Sequence, residues 1–149
     1  MVFTAVAMVC MAGSTAPAHH GVSGRYDVSQ PIVLSGTITQ ASFSPPHPVL
    51  SVRVDTAEMP ELETDRPPQL KARPIARQED VGMVRRIELS PVRMFFELGP
   101  RVRNGDRVTI LALRNCLPPH QLRSFWIRLA DGQIISHEGD WARGVEGCG

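Results

Sequence analysis

The chain has 149 residues, of which 42% are hydrophobic, 21% charged and only 5% aromatic, with a formal net charge of +1. That length fits one domain rather than two, no apolar run reaches the roughly 18 residues of a spanning helix, and the even charge argues against a dedicated nucleic-acid binder. With 13 prolines and 12 glycines, a helical bundle is excluded and strands joined by turns are favoured.

Residues 1–18 read as a secretory signal peptide. Val2 to Ala12 is uncharged and almost wholly apolar, Gly13-Ser14-Thr15 is a polar spacer, and Ala16-Pro17-Ala18 is a small-x-small cleavage site. The expected location is periplasmic or secreted, with no transmembrane segment after processing. Cleavage removes Cys10 and leaves Cys116 and Cys148, which an oxidising compartment invites to pair. The loop between them is about 30 residues, so a bridge would contribute on the order of 3 kcal/mol through the unfolded state.

The mature part, 19–137, opens with a polar lead. Ile32 to Phe43 is β-branched and alternates around Thr37-Ile38-Thr39, which predicts a strand, with Gly36 marking a bulge or bend. Ser44-Pro45-Pro46-His47-Pro48 cannot continue a ladder and is a turn. Val49 to Asp55 alternates again, placing Leu50, Val52 and Val54 on one face. Residues 56–82 lose periodicity and interleave Pro60, Pro67, Pro68 and Pro74 with charges, the composition of a solvated insertion.

Met83 to Leu89 returns to strand character. Ser90-Pro91 then reads as an N-cap and first helical residue, with a short helix ending at Gly99-Pro100. Gly105-Asp106 is a turn signal before Arg107 to Leu113, the clearest strand. Asn115 to Gln121, with Pro118-Pro119, is a loop. Leu122 to Leu129 is a strand in which Phe125 or Trp126 must face the core. Asp131-Gly132 reads as a type I′ hairpin turn, and Gln133 to His137 is a short return strand. Residues 138–149 form a C-terminal tail pinned by Cys148. The predicted fold is mainly β: a small OB-like five-stranded antiparallel barrel with one short helix between strands three and four. A five-stranded sandwich is the competing architecture.

Several segments carry a family resemblance: Ala18-His19-His20, Tyr26-Asp27, Pro31 to Ile38, Pro46-His47, Glu88 to Pro91 and Asn104 to Thr109. In that order the chain resembles a family of short bacterial exported proteins, domain-of-unknown-function family 6152. The resemblance implies export and supports the fold, and it brings no activity with it. The family tends to carry Trp shortly after the turn histidine and again in the third strand. Here Val49 and Arg85 stand near those places.

The histidines carry the sharpest chemistry. A mature chain starting at His19 offers an α-amine and an imidazole that chelate one metal in a plane, which suits Cu(II). His20, His47 in the proline turn and His120 in the loop after the fourth strand complete the candidate metal ligands. Cys116 and His120 have a C-x₃-H spacing that suits Zn(II) or Cu(I), in competition with the disulfide. There is no Gly-x-Ser-x-Gly elbow, glycine-rich phosphate loop or His-Glu-x-x-His. Asp106 and Asp131 read as turn residues, so no enzyme and no catalytic residue is expected. The expectation is an exported binding module for an unidentified ligand, with copper as the candidate. The alternative is a metal-free structural or interaction module that docks an envelope protein.

Overall fold

A computed structural model describes residues 25–62, 70–139 and 144–149. The segment 1–18 expected to be a signal peptide, together with His19 and His20, lies outside the described residues. The strands are β1 (Tyr26–Ser42), β2 (Val49–Thr56), β3 (Ile75–Ala76), β4 (Val84–Leu89), β5 (Arg107–Asn115), β6 (Leu122–Arg128) and β7 (Ile134–Ser136). One α-helical turn, α1 (Arg93–Phe96), lies between β4 and β5, and a 3-10 turn covers Gln78–Asp80. No helix among the described residues is long and apolar enough to cross a membrane.

The fold is mainly β, with seven strands in one sheet, of which β3 and β7 are only two and three residues long. β1 pairs with β2, β2 with β4, β4 with β6, β6 with β5, and β5 with β1, so the pairings return to the strand they began on. Not every pair in this circuit is antiparallel as expected. β4 and β6 run parallel, because α1 and β5 intervene and the chain re-enters beside β4 in the same direction.

β1 starts at Tyr26, six residues before the expected Ile32. Tyr26 and Asp27 pair with Asn115 and Arg114, and the register then shifts before Ile32. Pro31, which has no N–H to give a ladder, lies in that irregular stretch. A second shift falls between Ser35 and Gly36. A Cβ on Gly36 would lie 2.0 Å from the Arg53 carbonyl oxygen, so only glycine lets β2 cross this close.

Two apolar clusters hold the sheet. The larger takes Leu34 and Ile38 from β1, Leu50, Val52 and Val54 from β2, Ile87 and Leu89 from β4, Ile110 from β5 and Ile127 from β6. Phe95 of α1, with Leu98 and Val102 after it, joins the same cluster. The second lies on the opposite face of β1, β5 and β6: Tyr26, Val33, Leu111, Leu113, Phe125 and Trp126, covered by Leu62 and Leu70. A register shift opposite Leu111 and Ala112 skips Phe125. Both Phe125 and Trp126 therefore join the second cluster instead of one of them entering the larger core.

The 56–82 insertion does more than skirt the surface. Leu62 and Leu70 are buried, Ile75–Ala76 pairs with Ile32–Val33 of β1, and Asp80, 2% exposed, is ion-paired with Arg77 at 2.6 Å and Arg85 at 3.4 Å. Its anchors are single leucines separated by polar residues, which leave no period for a sequence reading to detect.

Three local expectations change. Ser90 does not cap the helix: its N–H and Oγ both point to the Ser124 carbonyl, at 2.9 and 3.3 Å, and Val92 occupies the N-cap without a side-chain bond. Gly132 has φ of 85° while Asp131 has no positive φ. Gly132 N–H bonds Leu129 O and Leu129 N–H bonds Gln133 O, so the turn is type I with a G1 bulge rather than type I′. The C-terminal tail is held by more than its cysteine. Val145 exchanges backbone bonds with Tyr26 and Val28, and Gly147 N–H donates to Asp27 Oδ1 at 3.1 Å.

Candidate functional site

β4 alternates between the larger core and the outside: Ile87 and Leu89 point in, so Arg86 and Glu88 point out. Register sets Glu88 between Val49 of β2 and Arg123 of β6. Two guanidinium groups and an imidazole converge on it. Arg123 Nη2 lies 3.5 Å from Glu88 Oε2, His47 Nδ1 lies 3.7 Å from the same oxygen, and Arg86 Nη1 lies 3.7 Å from Oε1. Arg123 is 3% exposed and its guanidinium sits 5.4 Å from the centre of the Tyr26 ring. A guanidinium this deep requires a counter-charge, and Glu88 together with the ring face supplies it.

His47 reaches Glu88 because its loop is fastened. Pro48 O accepts a bond from Leu89 N–H at 2.9 Å, which ties the end of the proline turn to the end of β4. The loop then overhangs the outer face of β2 and β4 and leaves a half-open hollow of about 330 Å³. Gln40, Ser42, Ser44, Pro45, Pro46, His47, Val49, Ser51 and Arg86 line it.

The other expected ligands lie elsewhere. His120 is in the β5–β6 loop at φ of 59°, with Nδ1 3.0 Å from the Asn115 carbonyl. Its loop leads into β6 and that of His47 into β2, the two strands on either side of β4. Each histidine contacts its own neighbourhood. Cys116 and Cys148 are joined by a disulfide with Cα atoms 5.1 Å apart, so Cys116 offers no thiolate to a metal with His120. Among the described residues no group of three or more His, Cys, Asp or Glu side chains converges as a metal site.

Close to the disulfide, Asp27 accepts bonds from the Ser29 hydroxyl at 2.6 Å and the Ser29 N–H at 2.8 Å, as well as the one from Gly147. Burial works to raise its pKa, but the Ser29 and Gly147 bonds and the Arg114 charge outweigh it and hold the carboxyl below its ordinary value.

Sequence reading singled out His47 but not Glu88, Arg86 or Arg123 as site residues. The available signal was Arg123, the single charge in the otherwise uncharged run Leu122 to Ile127. Its partner could not be seen, because the β4–β6 pairing joins residues 35 apart in sequence.

The sequence model of a family of unknown function, DUF6152, matches residues 6–89, which runs through the end of β4 and includes the His47 turn and Glu88. No curated protein matches the chain.

Proposed function

We propose, from the premise that the chain belongs to the family of unknown function DUF6152, that it is an exported OB-like five-stranded barrel serving as a binding module of the periplasm. The barrel reading is supported by the five longer strands, each of which pairs with two others of the five, and by α1 lying between the third and fourth of them. OB-like barrels take ligands on the outer face of their second and third strands and at the loop between the first two. The observation that carries the binding reading is the hollow between the Ser44–Pro48 loop and the outer face of β2 and β4. Export is supported by the 1–18 pattern and by the disulfide, which an oxidising compartment maintains.

Copper is the candidate metal. His19 at a processed terminus would chelate Cu(II) through its α-amine and imidazole, with His20, and His47 or His120, as further donors. The test is calorimetric titration of signal-processed protein with Cu(II), beside a form carrying one alanine before His19. Affinity is expected to fall at least about a hundredfold with the added residue, since the amine leaves the chelate ring. Equal affinities would overturn the copper assignment.

The alternative is a metal-free interaction module that docks an envelope protein. It is favoured by Met83 and Val84, adjacent apolar side chains that are 53% and 55% exposed at the start of β4. It predicts that native protein is purified without metal and with a partner attached.

A further inference from the structure

We infer that the hollow under the proline turn is a subsite for an acidic sugar, with Arg86 and His47 receiving its carboxylate; this rests on the binding-module reading above and gives that site a ligand class. Charge comes first. Among the described residues that line the hollow, Arg86 brings a guanidinium and His47 an imidazole, and none is Asp or Glu. Glu88 sits behind them, but Arg123, buried against Tyr26, is already paired with it. Arg86 is the open member of the cluster, with its side chain 62% exposed. A guanidinium fork matches a planar carboxylate with two parallel bonds, which a compact cation does not.

The remaining lining fits a sugar ring. Ser42, Ser44 and Ser51 offer hydroxyls and Gln40 an amide, groups that both donate and accept, as sugar hydroxyls do. Pro45, Pro46 and Val49 give apolar walls for ring C–H faces. The volume of about 330 Å³ is at the low end of ligand clefts, which run from about 300 to 1,000 Å³. A nucleotide base is disfavoured because no Phe, Tyr or Trp among the described residues lines the hollow to stack on it.

Glu88 acts here as a positioning residue. One carboxyl group holds His47 and Arg86 on two different elements, the turn and β4, so both side chains face the same opening.

The test is an amide-shift titration of the disulfide-intact protein with digalacturonic acid, its neutral counterpart galactobiose and inorganic phosphate. Digalacturonic acid is expected to move amides of residues 40–51 and 86–88, to bind at least about tenfold tighter than galactobiose, and to weaken at least about tenfold in Arg86→Gln. Arg86 is exposed, so the variant should keep the parent melting temperature, which a thermal scan verifies. Equal binding of galactobiose at the same amides overturns the acidic-sugar assignment and leaves the hollow a ligand site. Phosphate matching digalacturonic acid also overturns it, in favour of a plain anion site. If none of the three moves these amides, the assignment falls and the binding reading of this hollow falls with it.

Discussion

Two outer faces of one sheet differ in what lies over them. On β1, β5 and β6, the outward residues Val33, Leu111, Leu113, Phe125 and Trp126 are buried under Leu62, Leu70 and the strands flanking them. On β2 and β4 the outward residues include Ser51, Arg53, Arg86 and Glu88, and the Arg53 and Arg86 side chains are 54% and 62% exposed. The difference is written in the strands. β2 alternates, with Leu50, Val52 and Val54 inward and Ser51, Arg53 and Asp55 outward, which is the pattern of a strand with one wet face. β5 instead runs apolar from Ile110 to Leu113, and such a run requires cover on both faces. The insertion supplies the cover on one side and leaves the other side to the solvent and the proposed ligand.

This contrast can be broken experimentally at graded cost. Trp126→Ala on the covered face should lose about 3–5 kcal/mol, as for other buried large aromatics, read as a lower midpoint in urea. Cys148→Ser should lose about 3 kcal/mol, mainly by freeing the unfolded chain, and urea curves with and without reductant should converge on the parent curve under reduction. Leu70→Ala should lose about 2 kcal/mol, the low end for a buried leucine because its loop can settle into the gap. A loss below about 0.5 kcal/mol, the range of ordinary surface changes, would mean that the insertion does not seal that face.

Asp27→Asn probes acid behaviour. Its folded pKa lies below the ordinary 3.8, so its stabilisation is present above that value and is lost as pH falls through the folded pKa. The variant should flatten the acid limb of the stability profile. The smallest effect is expected on the open face, where Arg86→Ala should change stability by less than about 0.5 kcal/mol. A drop like that of Trp126→Ala would show that the open face is structural after all.

How much was legible depended on the range of the interaction. β5 was readable because its apolar run and the preceding Gly105-Asp106 turn are local. Asp106 accepts the Arg103 N–H at 2.8 Å, as a turn residue does. The bend at Gly36 was readable from the residue type alone. The first residues of β1 were not, since Val28 to Pro31 neither alternate nor pair regularly. Ser90 looked like a cap because the nearby proline fits one, while its actual partner is Ser124 across the sheet. Leu62 and Leu70 were hidden by their polar neighbours. For the site, His47 stood out in its proline turn, but Glu88, Arg86 and Arg123 are brought together only by strand register.

The Arg123–Tyr26 contact gives the molecule a built-in reporter. The chain has a single tyrosine, and its ring lies under the guanidinium that holds Glu88. Any ligand that draws Arg86 or His47 away from Glu88 shifts the balance on Arg123, and so the field across one phenol ring. The aromatic resonances of Tyr26 form one unambiguous set. They therefore read the state of the hollow from the far side of the ion cluster, without a label and without touching the ligand.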